Sequence, residues 1–279
     1  EETRSFKGYE VGAVDILYKP VSPFILQSKL RTFLELHRQR QQLAAELADR
    51  TEALRLNEQF VAMVGHDLRS PLTAILMSAS SLQRQSDAAQ VARLAEVIQQ
   101  SGQRMARMIE DILDLARLRL GGGFQLQPRH CDLRRLSETL IDEQNAALGR
   151  PVLTLTAQGD TAGVWDEGRL SQALSNLLVN AVQHGEPGQP VALAIDGRQA
   201  ASVCIEVQNR GAIPEALLPD LFNPFKSGAL HRPRQGNLGL GLFIVQQVVK
   251  AHGGTVVASS MDGSTRFRLE LPRYARTAA

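Results

Sequence analysis

The chain has 279 residues, which is enough for two domains and part of a third. Its 43% hydrophobic and 22% charged content is ordinary for a globular protein, and a formal net charge of +2 gives no argument for binding nucleic acid or a membrane surface. We find no apolar run of transmembrane length and no signal peptide, so we expect a cytoplasmic protein without a transmembrane segment. Two widely separated cysteines, Cys131 and Cys204, predict reduced thiols and not a metal site.

Residues 1–37 predict a strand followed by a helix. AVDILYKP (13–20) is typical of a buried strand, and after it Ser22 is placed to cap a helix with Pro23 in its first turn. These elements cannot bury a core of their own. Because the chain opens at Glu1 and not at Met, we expect this segment to be cut from something longer.

Residues 38–59 are polar and lack Gly and Pro, which favours a helix. Apolar residues at spacings of four and seven predict that this helix pairs in a coiled coil, along the seam Leu43, Leu47, Leu54, Val61, Val64 and Leu68. Arg50 and Asn57 lie on the same seam, so the pairing is either weak or held in register by these polar residues.

Two amphipathic helices follow, one running to about Arg84 and one from about Ala88 to Leu118. A short polar turn joins them, which predicts a helical hairpin. The apolar stripe of this hairpin is best buried by a second copy, so we expect a dimeric four-helix bundle. The three glycines at 121–123 end this region and are expected to serve as a hinge.

Residues 124–273 mix helices and strands. Asp132 and Asp166 are placed as N-caps of two helices that stop at Gly149 and Gly185. Alternating apolar and polar residues, typical of strands, occur at 191–195, 202–208, 255–260 and 265–272. This order of elements predicts an α+β sandwich with its helices on one face of the sheet.

The segment FVAMVGHDLRSPL (60–72) places His66 beside an acid on a helix. Asp67 can hold one imidazole nitrogen protonated and leave the other as a nucleophile, while Arg69 adds positive charge for an incoming phosphate. Pro71 removes a backbone donor to the carbonyl four residues earlier and is expected to kink the helix near the histidine. A lone helical His is more often structural, and Pro71 could instead divide the segment into two short helices.

Asn176 and Asn180 lie one turn apart on a helix that is otherwise packed by apolar residues. Buried amides are costly unless they are bonded, so the pair indicates a ligand. The oxygen of Asn180 suits a Mg²⁺ ion that bridges ATP phosphates. The alternative, that both amides only bond neighbouring loops, stays open.

The stretch GNLGLGL (236–242) runs directly into a helix, which lets backbone amides approach phosphate. It is not a P-loop, because no Gly-Lys-Ser/Thr follows, and it is not a Rossmann turn, because no strand leads into it. The basic segment before it, LFNPFKSGALHRPRQ, predicts a lid over a triphosphate, with a solvated loop as the alternative.

Taken in order, FVAMVGHDLRSPL, LSNLLVNAVQHG, VQNRGAIP, LFNPF, GNLGLGL and DGSTRFRLELP resemble the sensor histidine kinases of two-component systems, over roughly residues 40–273. The resemblance implies a dimerisation and phosphotransfer domain at 60–120. It also implies an ATP-binding domain at 124–275 that shares its fold with gyrase-type ATPases. By the same resemblance His66 is the phosphoacceptor and Asp67 is its acid–base partner.

The resemblance also assigns a nucleotide site in which Asn180 would bind Mg²⁺. Near the phosphates it implies Asn176, Gln183, Gly236, Gly239 and Gly241, and near the nucleoside it implies His184. Phe222 and Phe225 would anchor the lid, which carries Lys226. Asn209, Gly211 and Thr265 would surround the adenine.

Two positions depart from the family pattern. Where the family has an Asp that accepts a hydrogen bond from the adenine amino group, this chain has Asn209, followed by Gly211 and Ile213. A neutral amide can accept the same bond without charge, which predicts lower adenine affinity. Gyrase-type ATPases also use a Glu one turn before the Mg²⁺ ligand to activate water. Position 176 is Asn here, which favours transfer to His over free hydrolysis.

A second resemblance covers residues 1–37, which are similar to the C-terminal third of a response-regulator receiver domain. It implies that Lys19 contacts a phosphoryl group and that the Lys19–Pro20 bond is cis. The phosphoacceptor Asp of that receiver would lie upstream, because Asp15 sits on the wrong element to replace it.

The sequence therefore predicts a multidomain protein-histidine kinase that uses ATP and Mg²⁺. Its parts would be a partial α/β receiver fragment (1–37), a coiled-coil linker helix (38–59), the hairpin that forms the homodimer, and the ATP-binding sandwich. The expected partner is the receiver domain of a response regulator, which takes the phosphoryl group from His66. Two alternatives are a scaffold of the same fold that binds nucleotide weakly, and a stand-alone ATPase, which Asn176 disfavours.

Overall fold

The computed structural model of the chain describes residues 20–83, 87–119, 123–224 and 239–274. The chain forms two compact units, residues 1–59 and residues 60–279. Apart from Pro20, the strand predicted at 13–20 lies outside the described residues.

A single long helix, α1, covers Pro23–Leu82. Its middle part is rich in Gln, Leu, Ala, Glu and Arg, which are strong helix formers, and the ion pair between Arg50 and Glu46 (2.8 Å) joins successive turns. The helix continues through Pro71, whose side chain is buried. The alternative of two short helices divided at Pro71 is therefore wrong.

The second helix, α2, covers Ala88–Arg119 and begins where Asp87 Oδ1 accepts a hydrogen bond from Ala89 N (3.1 Å). These bounds are close to the predicted ones. Met108 and Leu115 are buried on α2, and the partly buried side chains Val64 and Leu68 of α1 pack against the same apolar cluster. Together α1 and α2 form the predicted helical hairpin.

Two sheets follow the hairpin. A small antiparallel sheet pairs β1 (Arg129–Asp132) with β3 (Ala162–Trp165). The main sheet has the order β2-β4-β5-β7-β6, with β2 at Leu153–Gly159, β4 at Val191–Gly197, β5 at Ser202–Arg210, β6 at Thr255–Met261 and β7 at Ser264–Pro272. β2 and β4 are parallel, and the other neighbours are antiparallel.

Three helices cover one face of the main sheet: α3 (Leu133–Leu148) contacts β2, α4 (Glu167–His184) contacts β4 and β5, and α5 (Gly241–Ala251) contacts β6 and β7. A 3₁₀ helix at Glu215–Asp220 lies in the connection between β5 and α5. The predicted N-caps are present, because Asp132 Oδ1 accepts from Arg134 N and Asp166 Oδ1 accepts from Arg169 N, both at 3.0 Å. The predicted α+β sandwich is confirmed.

The alternation along the central strands positions two polar residues. Every second residue of β5 and β7 faces the helices, and these residues are buried: Val203, Ile205 and Val207 on β5, and Phe267, Leu269 and Leu271 on β7. The same period puts Asn209 and Thr265 on the helix-covered face, directly opposite each other in the register. Two polar residues thus sit at the end of an otherwise apolar interior.

Candidate functional site

The first candidate group is the His66–Asp67 pair on α1. His66 Nδ1 lies 2.9 Å from Asp67 Oδ1, and the two side chains differ sharply in exposure, at 73% for His66 and 3% for Asp67. A carboxylate at this distance favours a proton on Nδ1, which leaves the lone pair of Nε2 on an exposed edge of the ring. This geometry can make an imidazole nucleophilic and can stabilise the positive charge that develops as it reacts.

Asp67 has unused capacity to accept hydrogen bonds. Its Oδ2 is buried and has no hydrogen-bond partner among the described residues. Pro71 cannot donate to the Asp67 backbone carbonyl, as a helix would otherwise require. Poorly compensated negative charge beside His66 Nδ1 strengthens the interaction with an imidazolium. The kink expected near His66 stays a prediction.

The second candidate group joins α4 to the start of α5. Asn176 and Asn180 are both half-buried on α4, and Asn176 Nδ2 donates to the carbonyl of Gly241 at 3.4 Å. Gly241 is the first residue of α5, and Gly239 before it has a φ of +66°, a left-handed conformation that favours glycine. The amide side chains of α4 therefore lie beside a helix N-terminus, which suits an anionic phosphate.

The third candidate group lies at the ends of β5 and β7. Asn209 is 5% exposed and its Nδ2 donates to the carbonyl of Arg210 (2.9 Å), while Thr265 Oγ1 donates to the carbonyl of Gly211 (2.9 Å). Gly211 has a φ of +132°, and a Cβ there would lie 2.9 Å from the carbonyl oxygen of His184. Only glycine fits this turn, and its tight packing places Asn209 against the end of α4.

Of the remaining predicted site residues, some are described by the structure and others lie outside the described residues. Gln183 and His184 are exposed on the last turn of α4, and Phe222 is half-buried against Phe267, with an edge-to-face arrangement and 6.4 Å between the ring centroids. The contact with a core residue is consistent with the anchoring expected of Phe222. The predicted contacts Phe225, Lys226 and Gly236 lie outside the described residues.

The structure also brings together residues that the sequence reasoning missed. Asp114 of α2 is buried and accepts hydrogen bonds from Arg169 and Gln172 of α4. Arg169 and Gln172 precede Asn176 by seven and four residues, so all three share one side of the helix. The polar spacing along α4 was visible in the sequence, but its partner on α2 was not.

His252, at the end of α5, is a fully buried histidine outside the candidate site. Burial lowers the pKa of His252, which favours the neutral ring. In the neutral ring Nε2 accepts a hydrogen bond from Asp166 N (3.0 Å), and Nδ1 donates to the carbonyl of Val248 (2.8 Å). This histidine ties the end of α5 to the start of α4, and its role is structural.

Two family models match the chain. Residues 56–121 match the His Kinase A (phospho-acceptor) domain, and residues 165–275 match the histidine kinase-, DNA gyrase B- and HSP90-like ATPase family. The first region contains the His66–Asp67 pair, and the second contains the residues around Asn180 and Asn209. Within the described residues, no helix is long and apolar enough to cross a membrane.

Curated relatives and solved structures agree with these matches. The adaptive-response sensory kinase SasA of Synechococcus elongatus is 30% identical over 275 residues, which is 94% of this chain and 68% of SasA. The bacteriophytochrome of Pseudomonas aeruginosa is 36% identical over 81% of this chain and 31% of its own length. The histidine kinase ThkA, solved in complex with the response regulator protein TrrA, has the same fold, with a TM-score of 0.55, 21% identity, and coverage of 82% of this chain and 65% of that one.

This chain spans between about a third and a half of the length of several of the curated relatives that it matches. The match to SasA nevertheless covers most of both proteins. With a phospho-acceptor hairpin followed by a gyrase-type ATPase sandwich, the chain belongs to the family of sensor histidine kinases.

Proposed function

We propose that this chain is an ATP-dependent protein-histidine kinase that phosphorylates His66 and passes the phosphoryl group to an Asp of a response regulator. The observation that carries the proposal is the exposed imidazole of His66 held by the buried carboxylate of Asp67 at 2.9 Å. The chain that presents this nucleophile also carries an ATPase-type domain, so donor site and acceptor belong to one polypeptide.

In the proposed reaction, Nε2 of His66 attacks the γ-phosphorus of ATP. The bond between the γ-phosphorus and the bridging oxygen breaks, and ADP leaves with the electron pair. Asp67 keeps the proton on Nδ1 and stabilises the charge on the ring. Transfer to the regulator then breaks the N–P bond and forms an acyl phosphate on its Asp.

ATP would lie between α4, the start of α5, and the ends of β5 and β7. Asn176 and the amides near Gly239 and Gly241 would contact the phosphates, and Asn209, Gly211 and Thr265 would surround the adenine. The further proposed contacts are Gln183, His184, Phe222, Phe225, Lys226 and Gly236. Mg²⁺ would be held by the amide oxygen of Asn180 together with phosphate oxygens, and it would neutralise charge on the triphosphate.

The half-buried position of Asn180 on the side of α4 that carries Asn176 fits this assignment, because one hard oxygen from the protein is enough when phosphates supply the others.

We assign 60–120 to the phosphotransfer domain and 124–275 to the ATP-binding domain. Because ATP is the donor, the reaction belongs in the cytoplasm.

We further propose a homodimer that forms through the hairpin. We also propose a coiled coil through 38–59, since Leu43, Leu47 and Leu54 are all more than half exposed in the single chain.

For residues 1–37 we propose the end of a receiver domain, which rests on the sequence resemblance alone. Hydrogen exchange tests the fragment: strong protection of residues 13–20 in the isolated dimer would mean that the segment has its own core and is not a receiver fragment.

A scaffold that binds nucleotide weakly is the second candidate, and Asn209 is the observation that favours it. The family places a charged acceptor at the adenine, and this chain has a neutral amide that already donates to the Arg210 carbonyl. A weaker adenine contact lowers nucleotide affinity without changing the fold.

Incubation with γ-labelled ATP and Mg²⁺ separates the candidates. We expect acid-labile label on the wild type, no label on His66→Gln with ATP binding retained, and loss of both binding and label in Asn180→Ala. His130→Gln is the matched control, because His130 is also an exposed histidine and lies on β1. Bound ATP without any label would favour the scaffold, and free phosphate without label would favour an ATPase. Label that persists in His66→Gln would contradict the acceptor assignment.

A further inference from the structure

Two polar contacts join α4 to α5, one near each end of α5. At the start of α5 the carbonyl of Gly241 accepts from Asn176 Nδ2 (3.4 Å), and just past its end His252 Nε2 accepts from Asp166 N (3.0 Å). Along the chain the two contacts are ten residues apart on α4 and eleven apart on α5. At about 1.5 Å per residue both spans are roughly 15 to 17 Å, so the two helices lie side by side and antiparallel.

The surface between these two contacts is apolar. It contains the fully buried side chains Leu170, Leu174 and Leu177 of α4 and Ile244, Val245 and Val248 of α5. The hydrophobic effect has no preferred direction, so the directional hydrogen bonds at the two ends determine where α5 lies along α4. Asn176 and the first-turn amides of α5 belong to the proposed nucleotide site, and this position therefore determines how they meet the phosphates.

The contact at the end of α5 depends on one protonation state of His252. This side chain is 0% exposed, and each of its ring nitrogens has a partner: Nδ1 lies 2.8 Å from the Val248 carbonyl, and Nε2 accepts from Asp166 N. A carbonyl needs a donor and a backbone amide needs an acceptor, so these partners require the neutral ring with its proton on Nδ1. A proton on Nε2 would set two donors against each other.

The surroundings of His252 oppose a positive charge on the ring. Burial lowers the pKa of His252 and outweighs the hydrogen bond to the Val248 carbonyl and the charge of Asp166, which both raise it. Within the described residues, Asp166 is the charged group that acts on the ring from α4, and on α5 itself Lys250 is exposed. The Asp166 carboxylate is already bound by two backbone amides, so it compensates an imidazolium only in part.

Protonation of His252 therefore breaks the contact at the end of α5. The proton joins Nε2, the hydrogen bond from Asp166 N is lost, and a positive charge remains in the interior. Because the pKa in the folded state lies below that in the unfolded state, the unfolded chain binds this proton more tightly. The stabilisation by His252 is complete above about pH 6.5 and is lost as the pH falls from there through the lowered pKa.

We propose that His252 is a positioning residue for the proposed nucleotide site, and that it keeps α4 and α5 in their binding arrangement only while its ring is neutral. The proposal rests on the ATP-binding function proposed above. His252 lies at the opposite end of α5 from Gly241, so it acts through the two helices and not on the nucleotide itself. Nucleotide binding then weakens as the pH falls and, by linkage, a bound nucleotide makes the ring harder to protonate.

The test compares the wild type with His252→Gln in the full chain, with ADP and Mg²⁺ as the probe. The Oε1 atom of Gln is placed to accept from Asp166 N in the way that Nε2 does, but it does not titrate. By calorimetry we expect equal Kd values for the two proteins at pH 7.5. At pH 5.5 the wild type should bind ADP roughly fivefold more weakly than His252→Gln. The phosphates of ADP and groups such as Asp111 titrate in both proteins, so they cancel in this comparison.

Nuclear magnetic resonance of the His252 ring gives a second measurement, which needs only the wild type. Saturation with ADP and Mg²⁺ should move the titration of this ring to lower pH, because binding and protonation oppose each other to the same extent. A tie without influence on the nucleotide site would titrate at the same pH with and without ADP.

His130→Gln is the matched control, because His130 is an exposed histidine on β1 of the same domain, and this variant should keep the pH dependence of the wild type. If circular dichroism shows that His252→Gln does not fold, the ring titration decides the question. An equal loss of ADP affinity in the wild type and His252→Gln, or a ring titration that ADP does not move, would overturn the role of His252. A wild type that binds no ADP at pH 7.5 would contradict the nucleotide site itself, and the role of His252 would fall with it.

Discussion

At the scale of single residues, Asn209 combines two roles. Its Nδ2 donates to the Arg210 carbonyl at 2.9 Å, which fixes the side chain so that Oδ1 is the acceptor it can offer to an adenine amino group. An Asp at this position would accept more strongly from a ligand, but its carboxylate would face the Arg210 carbonyl without a donor between them.

We therefore expect opposite effects of Asn209→Asp on the free protein and on the complex. The free energy of unfolding without nucleotide should fall by about 1–3 kcal/mol, because a buried donor is lost. ATP binding should become tighter by about 1 kcal/mol, because the hydrogen bond to adenine becomes charge-assisted. Urea denaturation and calorimetry measure the two quantities, and unchanged or weaker ATP binding would show that the pocket is built around the amide.

Asp111 makes the stability of the second unit depend on pH. Burial is the main cause that raises the pKa of Asp111 to about 6, and the negative charges of Asp114 and Glu110 add to it. A hydrogen bond from Gln172 and the positive charge of Arg107 act in the opposite direction and lower the pKa. Because the pKa in the folded state lies above that in the unfolded state, the folded state binds the proton more tightly. This group therefore costs stability increasingly as pH rises from about 4 through 6.

Asp111→Asn removes this cost, so its free energy of unfolding should exceed that of the wild type at pH 7.5. The difference should shrink at pH 4.5, where Asp111 is largely protonated in the folded protein. Urea denaturation at the two pH values measures the effect, with Glu96→Gln as a control at an exposed acid on the same helix that does not contribute to the pKa of Asp111. An equal gain at both pH values would assign the stabilisation to packing and not to charge.

At the scale of elements, three hydrogen bonds of Asp166 attach the N-terminus of α4 to its surroundings. Asp166 Oδ1 caps the helix, Oδ2 accepts from Gln127 N, and Asp166 N donates to the buried His252. The start of α4 is thus fixed to the interdomain segment and to α5. Since Asn176 and Asn180 lie on the same helix, the cap also fixes the proposed nucleotide site.

We predict that Asp166→Ala lowers the free energy of unfolding by about 2 kcal/mol, the loss expected for an N-cap together with a second charged hydrogen bond. Asp87→Ala is the matched control, because Asp87 is exposed and its Oδ1 accepts from Ala89 N in the first turn of α2. A smaller loss, below about 1 kcal/mol, is expected there. Equal losses in the two variants would contradict the additional anchoring role of Asp166.

At the scale of the whole molecule, the hairpin presents apolar side chains that a single chain does not bury. Leu76, Ile109 and Leu113 are 59%, 47% and 50% exposed. Helices with a long apolar stripe are stable in water when a second surface covers it. The homodimer proposed above supplies that surface as a four-helix bundle.

Leu76→Glu should therefore shift the protein toward monomers, because a charge would be buried in the proposed interface. Sizing by light scattering at micromolar concentration measures the shift. Val257→Glu is the control, since Val257 is similarly exposed (61%) but lies on β6 of the ATP-binding domain. A Leu76→Glu variant that remains fully dimeric would remove this side of the hairpin from the interface.

Much of the architecture could be predicted from the sequence because its signals are local. The caps Asp132 and Asp166 and the alternation along β5 and β7 are each encoded within a few neighbouring residues. The order of the motifs was enough to identify the kinase core, since each motif combines special backbone positions with chemistry-bearing side chains. The strands β1, β2 and β3 were not predicted. β1 and β3 have only four residues each, while β2 was missed although its sequence begins with the alternating pattern LTLTA.

Only the tertiary structure decided which distant groups share a contact. Asp114 meets Arg169 across 55 positions of sequence, and His252 meets Asp166 across 86. Arg273 donates to the carbonyls of Asp160 and Ala162, at the connection between β2 and β3, and of Gly197 and Gln199, at the connection between β4 and β5. Local patterns reveal that a side chain is polar and on which side of its element it lies. Whether it is buried, and which charge or carbonyl compensates it, depends on how the elements pack.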